Sequence, residues 1–253
     1  MKTFLDISYI KDGTKAQKLD MYLPETDNFP VFVFFHGGGL TAGDKIGAGE
    51  ILAPYFVNRG IGFVSSNYRM YPEAKYPDFI EDGAAAVAWV KNNIENYGGS
   101  GKLYVGGSSA GGYLSMMLCY DAKYLGAHGI EPTAIAAYIH DAGQPTTHFN
   151  VMVERGFNRF KCAIDDAAPL YHVGEAKEYS PQLILVSDND IKARYEQTML
   201  LMVTLESLGY DMSRVKLEIM RGYAHTKYMS LTDESGNSIF GEIVTKFLEE
   251  MKI

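Results

Sequence analysis

The sequence has few cysteines, an excess of acidic over basic residues, and no long hydrophobic run. Only Cys119 and Cys162 are present, unlike a small secreted scaffold held by disulfides. We expect two reduced thiols, with a disulfide between them as the alternative. The longest uninterrupted apolar run, residues 84–90, has seven residues, whereas a membrane-spanning helix needs about 20. These absences exclude a disulfide-stapled domain and a helical membrane protein.

Basic side chains are outnumbered: 23 Lys and Arg against 31 Asp and Glu give a net charge of −8. No cluster of Lys and Arg interrupts this acidic balance, so we expect neither a nucleic acid nor a membrane as a partner. The first residues lack the apolar stretch of a signal peptide, and we therefore expect a cytoplasmic protein. Hydrophobic residues make up 47% of the chain, which excludes a disordered or fibrous chain.

Short apolar segments alternate with segments of helical periodicity. Helical spacing is present at 76–93, 195–208 and 239–251. The apolar segments predict strands at 4–9, 17–23, 31–35, 62–66, 103–105, 134–139, 183–186 and 215–220. This alternation predicts a single α/β domain over residues 1–253, with a mostly parallel central sheet of about eight strands and helices on both faces. The irregular stretch 141–166 is predicted to be a small cap insertion over the ligand-binding edge.

A glycine-rich turn follows the predicted strand at 103–105, at the edge where parallel sheets bind ligands. The register Gly107-x-Ser109-x-Gly111 opens a helical run and matches a nucleophile elbow. Flanking glycines remove side chains that would collide in such a tight turn. A pattern centred on Ser108 would need a glycine at position 110, where the chain has Ala110. Taken alone, the pattern is as consistent with a structural turn as with a catalytic Ser109.

A second glycine loop, His36-Gly37-Gly38-Gly39, follows the predicted strand at 31–35. Backbone N–H groups in such a loop stabilise the anionic oxygen of a tetrahedral intermediate. Two glycine motifs at strand ends, in the expected order, favour a hydrolase over a merely flexible loop. Since His36 precedes the serine, we expect it to brace the loop rather than act as the base.

An acid and then a histidine must follow the serine in the chain. The predicted strand at 183–186 leads into Ser187-Asp188-Asn189-Asp190, and only His225 of the six histidines comes later. Position at the end of the loop favours Asp190 as the acid, with Asp188 as a competitor that is better suited to forming a turn. We predict that His225 takes the proton of Ser109 and that Asp190 orients the imidazole.

Metal and cofactor chemistry is not indicated by the sequence. No His-x₃-His, Cys-x₂-Cys or His-Glu-x₂-His spacing occurs, so we expect no metal site. The loop 106–112 lacks the lysine that a P-loop uses on phosphates. We therefore expect no cofactor.

Together these motifs resemble the hormone-sensitive-lipase-like family of α/β-hydrolase esterases. The resemblance covers most of the chain, at residues 19–24, 36–39 with 43–44, 67–73, 76–77 and 107–112. It implies an oxyanion hole formed by the amides of Gly38, Gly39 and Ala110. It also implies a structural brace beneath the site, formed by the 67–73 stretch and Asp82.

The chain departs from this family in two places. His36 comes too early for the N-terminal cap that family members commonly carry before the glycine loop, so we expect no such cap. In addition, Asp190 leads into Ile191-Lys192-Ala193 rather than Pro-Leu-Arg-Asp. Only the 141–166 insertion is then left to roof the pocket. The candidates to line it are His140, His148, Phe149, Met152 and Phe157, although packing is the commoner role for each of them taken singly.

These observations predict a serine carboxylesterase that acts on a small-molecule, short-chain acyl ester, including acetylated or aromatic-acyl carbohydrate-type esters. A missing cap leaves little apolar wall for a long acyl chain. An amidase, formamidase or peptidase with the same triad is one alternative. A non-catalytic ligand-binding homologue is another, which the complete set of Ser109, Asp190 and His225 disfavours. The edge strand and last helix could pair two subunits, so a homodimer is left open.

Overall fold

Eight strands form one mixed sheet in the computed structural model, which describes residues 1–253. Their order across the sheet is β1-β2-β4-β3-β5-β6-β7-β8. The first two strands run antiparallel to their neighbours, and the other six are mutually parallel. The prediction of a mostly parallel sheet of about eight strands is confirmed. The strands are β1 (Lys2–Ser8), β2 (Lys18–Leu23), β3 (Phe29–Phe35), β4 (Gly62–Ser66), β5 (Gly99–Ser108), β6 (Ala137–Asp141), β7 (Gln182–Asn189) and β8 (Val215–Ala224).

Helices cover both faces of this sheet. They are α1 (Lys45–Val57), α2 (Asp78–Asn93), α3 (Ala110–Tyr120), α4 (Ala122–Gly126), α5 (Phe149–Glu154), α6 (Pro169–His172), α7 (Arg194–Ser207) and α8 (Ile239–Glu250). Strand β3 is apolar throughout because both of its faces are buried. Val33 packs into the core shared with α2, α3 and α7, while Phe34 packs into the core shared with α1 and α8. A central parallel strand buries both of its faces, so the apolar run carries no alternation.

The carboxyl ends of the parallel strands meet at one edge of the sheet. The glycine loop follows β3, the predicted elbow follows β5, and the loops after β7 and β8 carry Asp190 and His225. Since β3, β5, β6, β7 and β8 are successive neighbours, residues that are far apart in sequence come together at this edge.

Two ion pairs tie the antiparallel end of the sheet to the helices. The buried Lys45 Nζ lies 2.8 Å from Asp20 Oδ2 and joins α1 to β2. Arg69 contacts the buried Asp82 with Nε at 2.8 Å from Oδ2 and Nη2 at 2.9 Å from Oδ1, and Gln17 Nε2 donates to Oδ1 at 2.9 Å. Because Arg69 lies three residues after the end of β4 and Asp82 lies in α2, this bidentate pair ties the segment after β4 to α2.

In the stretch 141–166, Asp141 is the last residue of β6, and residues 142–166 consist of α5 and irregular segments on either side of it. Cys162 is exposed there, Cys119 is buried in α3, and the two form no disulfide. None of the helices combines the length and the apolar character that crossing a membrane requires. Strands β1 and β8 form the two edges of the sheet, and a homodimer stays a prediction.

Candidate active site

Ser109 lies at the sharp turn between β5 and α3. Its φ of 57° and ψ of −109° fall outside the regions that a residue with a side chain favours. The turn is held by two hydrogen bonds: the Ser109 N–H donates to the Asp141 carbonyl at 2.7 Å, and the Ser109 carbonyl accepts from the Tyr113 N–H at 2.9 Å. Strain of this kind costs on the order of 1–3 kcal/mol and persists only where the surroundings enforce it. This is the geometry of a nucleophile elbow.

The flanking glycines are required by close approach of the main chain. A Cβ on Gly107 would lie 2.5 Å from the carbonyl carbon of Gly111 and 2.6 Å from the carbonyl oxygen of Phe35. A Cβ on Gly111 would collide with the Phe35 carbonyl, and one on Gly112 would lie 2.5 Å from the Asp141 carbonyl oxygen. Helix α3 therefore begins directly against the ends of β3 and β6, which positions Ser109 at the edge of the sheet.

Ser109, His225 and Asp190 form a continuous series of hydrogen bonds. His225 Nε2 lies 2.8 Å from Ser109 Oγ, and His225 Nδ1 lies 2.6 Å from Asp190 Oδ1. The Asp190 side chain is only 1% exposed, and the Ile191 N–H also donates to its Oδ1 at 2.7 Å. A carboxylate at Nδ1 keeps the proton on that nitrogen, so Nε2 is free to accept the proton of the serine hydroxyl.

Asp188, the competing acid, has a different contact. Its Oδ1 accepts the Gly222 N–H at 2.8 Å, which joins the ends of β7 and β8, and the residue is exposed. Asp190 is thus the carboxylate that the structure brings to His225.

The glycine loop presents backbone donors to the same place. Gly38 has a φ of 117° and Gly39 a φ of 65°, and a Cβ on Gly38 would collide with the Ala42 carbonyl. The N–H groups of Gly38 and Gly39 form no hydrogen bond within the protein. Ala110 is the first residue of α3, where an N–H has no partner inside the helix. These three amides can therefore donate to an oxygen of a bound molecule, as the resemblance implied.

His36 braces this loop from below. Its ring stacks on Tyr68 with 4.5 Å between centroids, and its Nδ1 lies 2.7 Å from the Gly37 carbonyl. The Tyr68 hydroxyl donates to the His36 carbonyl at 2.8 Å. Burial lowers the pKa of His36, which favours its neutral form. At the other end of the loop, Asn150 Nδ2 donates to the Gly39 carbonyl at 2.5 Å.

A cavity of about 990 Å³ opens over Ser109 and His225. Of the five residues predicted to line it, only Phe149 does so, beside Gly39. Residues 159–162 of the insertion also line the cavity. None of them is among the predicted pocket residues. Nine of the 26 lining residues are hydrophobic, and Phe149, Phe160 and Ile191 are among them.

The structure places the other four candidates elsewhere. His140 is buried in β6, with Nδ1 2.8 Å from Ser115 Oγ, because its side chain faces the α3 side of the sheet. His148 is buried, caps α5 through the Asn150 N–H and stacks on Phe149 at 4.3 Å. Two more residues of the insertion miss the cavity: Met152, which is buried, and Phe157, which packs under the Lys161 ammonium at 3.7 Å. Packing, the commoner role, applies to His140, His148 and Met152, whereas Phe157 is 47% exposed.

Comparison with known proteins identifies the family of this chain. The model of the BD-FAE family matches residues 19–155, more than half of the chain. The chain belongs to the BD-FAE family. This is a hormone-sensitive-lipase-like family of α/β-hydrolase esterases, so the predicted resemblance is confirmed.

Carboxylesterase NlhH of Mycobacterium tuberculosis is 35% identical to this BD-FAE chain over 118 residues, which are 46% of this chain and 37% of NlhH. The chain thus matches little more than a third of that enzyme's length. Two solved structures share the fold. A truncated carbohydrate esterase from gut microbiota has a TM-score of 0.80 at 18% identity, covering 100% of this chain and 97% of the other. Thermogutta terrifontis esterase 2 has a TM-score of 0.78 at 21% identity, covering 99% and 94%.

Two charged residues near the site of this BD-FAE chain were missed by sequence reasoning. Asp141 ends β6, is fully buried, and accepts a hydrogen bond from the Tyr228 hydroxyl; burial raises its pKa to about 6. Arg194 begins α7 and lines the cavity. Asp141 could have been found as a polar residue at the end of a parallel strand. Nothing in the sequence marks Arg194 as buried. No group of three or more His, Cys, Asp or Glu side chains is arranged to hold a metal ion.

Proposed function

We propose that this chain is a serine carboxylesterase of small, short-chain acyl esters, with Ser109, His225 and Asp190 as its catalytic residues. One observation carries the proposal. The hydrogen-bonded series from Ser109 through His225 to Asp190 meets a cavity that is also lined by the glycine loop, whose amides are unpaired. A nucleophile, a base, an orienting acid and an oxyanion hole in this arrangement support acyl transfer.

The first half of the reaction follows from these positions. Ser109 Oγ attacks the ester carbonyl carbon while its proton passes to His225 Nε2. The carbonyl electron pair moves onto the oxygen, which accepts hydrogen bonds from Gly38, Gly39 and Ala110. Losing one such donor costs on the order of 10²–10³ in rate. The tetrahedral intermediate then collapses, the bond to the alcohol oxygen breaks, and His225 gives its proton to the leaving alcohol.

Water completes the cycle. His225 removes a proton from water as the water oxygen attacks the acyl-enzyme carbonyl, and the second intermediate releases the carboxylic acid and returns the proton to Ser109 Oγ. Asp190 stays ionised throughout and stabilises the imidazolium that forms in each half.

The cavity wall supports a short acyl group. A long acyl chain needs a continuous apolar lining, and charged residues interrupt this one: Arg159 and Lys161 flank Phe160, and Lys192 follows Ile191. Acetylated or aromatic-acyl carbohydrate esters are substrates of the proposed size, and a carbohydrate esterase is among the structures that share the fold.

The test is a series of p-nitrophenyl esters from acetyl to dodecanoyl, assayed with the wild type and with Ser109→Ala. We expect turnover of the short esters, and a loss of at least about 10⁴-fold in Ser109→Ala. Equal or better turnover of the dodecanoyl ester would contradict the short-chain proposal. If wild type and variant are equally inert on every ester, the esterase proposal fails, and matched amides become the next substrates to assay.

A further inference from the structure

Cationic side chains line the cavity of an otherwise acidic protein. They are Arg159, Lys161, Lys192 and Arg194, whereas the chain as a whole has a net charge of −8. Asp44 is the one acidic residue in the lining, and its carboxylate is already used by the N–H groups of Ile46 and Gly47 at the start of α1. None of the four cations has a carboxylate within 4.0 Å.

Arg194 is the unusual member of this set, because it is only 3% exposed. Its guanidinium donates to the Ala142 carbonyl and, at 3.2 Å, to Gln144 Oε1. Both acceptors are neutral, and a guanidinium has further N–H donors that these contacts leave unused. Burying a charge without a counter-ion is costly. The carboxylates of Asp190 and Asp141 act on Arg194 only at longer range, and burial lowers its pKa to about 10.

Gln197 lies one helical turn after Arg194 and lines the same cavity. Its Oε1 is buried and accepts no hydrogen bond. The residue before α7, Ala193, supplies no side-chain cap. The Arg194 N–H donates to the Ile191 carbonyl at 3.0 Å, and the N–H groups of Tyr195 and Glu196 have no acceptor within the protein. A carboxylate would find here a buried guanidinium, an amide side chain whose terminal group can turn to donate, and the positive end of a helix dipole.

We propose that the substrate is an ester that carries a carboxylate, and that Arg194, assisted by Gln197, binds this carboxylate while Ser109 attacks the ester carbonyl. The inference rests on the proposed esterase function and names its substrate class. One buried positive charge matches the single negative charge of a carboxylate, and the planar fork of an arginine binds such a group through two parallel hydrogen bonds. The three exposed cations, Arg159, Lys161 and Lys192, attract anionic substrates to the opening, which makes part of the effect dependent on salt.

Two matched substrate pairs test whether the carboxylate belongs to the acyl part or to the alcohol part of the ester. On the acyl side, p-nitrophenyl hemisuccinate is compared with p-nitrophenyl butyrate. On the alcohol side, 3-acetoxybenzoate is compared with phenyl acetate. In the wild type, kcat/KM for the charged member should exceed that for its neutral partner by about 10-fold or more in one pair, as expected for a charge-assisted hydrogen bond.

The decisive variant is Arg194→Met, which keeps an unbranched apolar stem and removes the guanidinium with its charge. The charged-to-neutral ratio of kcat/KM should fall by about 10- to 100-fold. Arg214→Met is the matched control, since Arg214 pairs with Glu178 at 3.5 Å outside the cavity; it should leave the ratio unchanged. A ratio near unity in both pairs of the wild type, or a ratio that Arg194→Met does not lower, overturns the inference.

Should Arg194→Met fail to fold, the wild type alone still tests the inference. Succinate should inhibit hydrolysis of p-nitrophenyl butyrate, and succinamide, its neutral analogue, should inhibit at least about 10-fold more weakly; equal inhibition by both overturns the inference. Equal turnover of charged and neutral esters, lost in Ser109→Ala, would refute the carboxylate site and leave the esterase function standing. No turnover of any ester would instead refute the esterase function.

Discussion

Replacing Asp190 by Asn should nearly abolish ester hydrolysis while the fold is kept. The carboxylate is buried and lies 2.6 Å from His225 Nδ1, where it holds the proton on Nδ1 and stabilises the imidazolium. An asparagine that presents its NH₂ group would hold the proton on Nε2 instead, so the imidazole could no longer accept the Ser109 proton. A loss of kcat of about 10⁴ is expected from such a tautomer change.

The magnitude has two sources in this structure. Loss of a charge-assisted hydrogen bond to a buried carboxylate accounts for about 1.5–3 kcal/mol. At 1.36 kcal/mol for each factor of ten, a 10⁴-fold loss corresponds to about 5.5 kcal/mol, and the wrong tautomer supplies the remainder. If Asp190→Asn lost only a few-fold, the carboxylate would not be setting the tautomer.

The assay is hydrolysis of p-nitrophenyl acetate and butyrate, with circular dichroism as the check on folding. Asp188→Asn is the matched control: it makes the same change two residues earlier, in a side chain that accepts the Gly222 N–H at 2.8 Å and does not touch His225. We expect this control to stay within about threefold of the wild type, since a surface substitution away from the site has little effect. A larger loss in Asp188→Asn than in Asp190→Asn would refute the assignment of the acid.

Three further changes test the scaffold around the site. Gly107→Ala places a Cβ 2.6 Å from a main-chain oxygen of β3, so urea denaturation should show a loss of about 1–3 kcal/mol. Burial raises the pKa of Asp141 from 3.8 to about 6, so its stabilising contribution is present at low pH and is lost as the pH rises through about 6. Relative to the wild type, Asp141→Asn should therefore gain about 3 kcal/mol of unfolding free energy between about pH 4 and about pH 8, and a pH-independent difference would refute this. Asp82→Asn removes the charge that Arg69 contacts with two nitrogens and should lower the free energy of unfolding, measured by thermal unfolding, by about 2–4 kcal/mol. Asp78→Asn is the control: its carboxylate lies 3.8 Å from Arg69, and its loss should lower the same free energy by less than about 1 kcal/mol.

The sheet could be predicted because its central strands are apolar on both faces. The strand bounds were less accurate. The predicted strand at 103–105 extends over Gly99–Ser108, since glycine and serine at its ends carry no hydrophobic signal. The predicted strand at 134–139 is displaced to Ala137–Asp141, because the residues before it form a 3₁₀ turn at Pro132–Ala134. A buried Asp141 was not expected to belong to a strand.

In the candidate site, the catalytic residues could be predicted from the sequence, whereas the wall of the cavity could not. The order of residues in the chain was enough to predict Ser109, Asp190 and His225 as a set, because the elbow and the glycine loop are local motifs at strand ends, and the structure places the three in hydrogen-bond contact. The wall of the cavity depends on how the insertion folds back, and no local pattern encodes that. His140 is a residue of β6 whose side chain is buried against α3. Arg194, which looks like an ordinary surface residue in the sequence, is buried beside the site.

The placement of the two cysteines makes the cavity accessible to site-specific labelling. Cys162 is exposed and lines the cavity, whereas Cys119 is buried in α3 and burial raises the pKa of its thiol. A maleimide fluorophore reacts with an accessible thiolate and should therefore attach at Cys162 alone, without any cysteine first being removed. A dye at that position would report the arrival of a ligand as a change in fluorescence, also in Ser109→Ala, where binding could be followed without turnover.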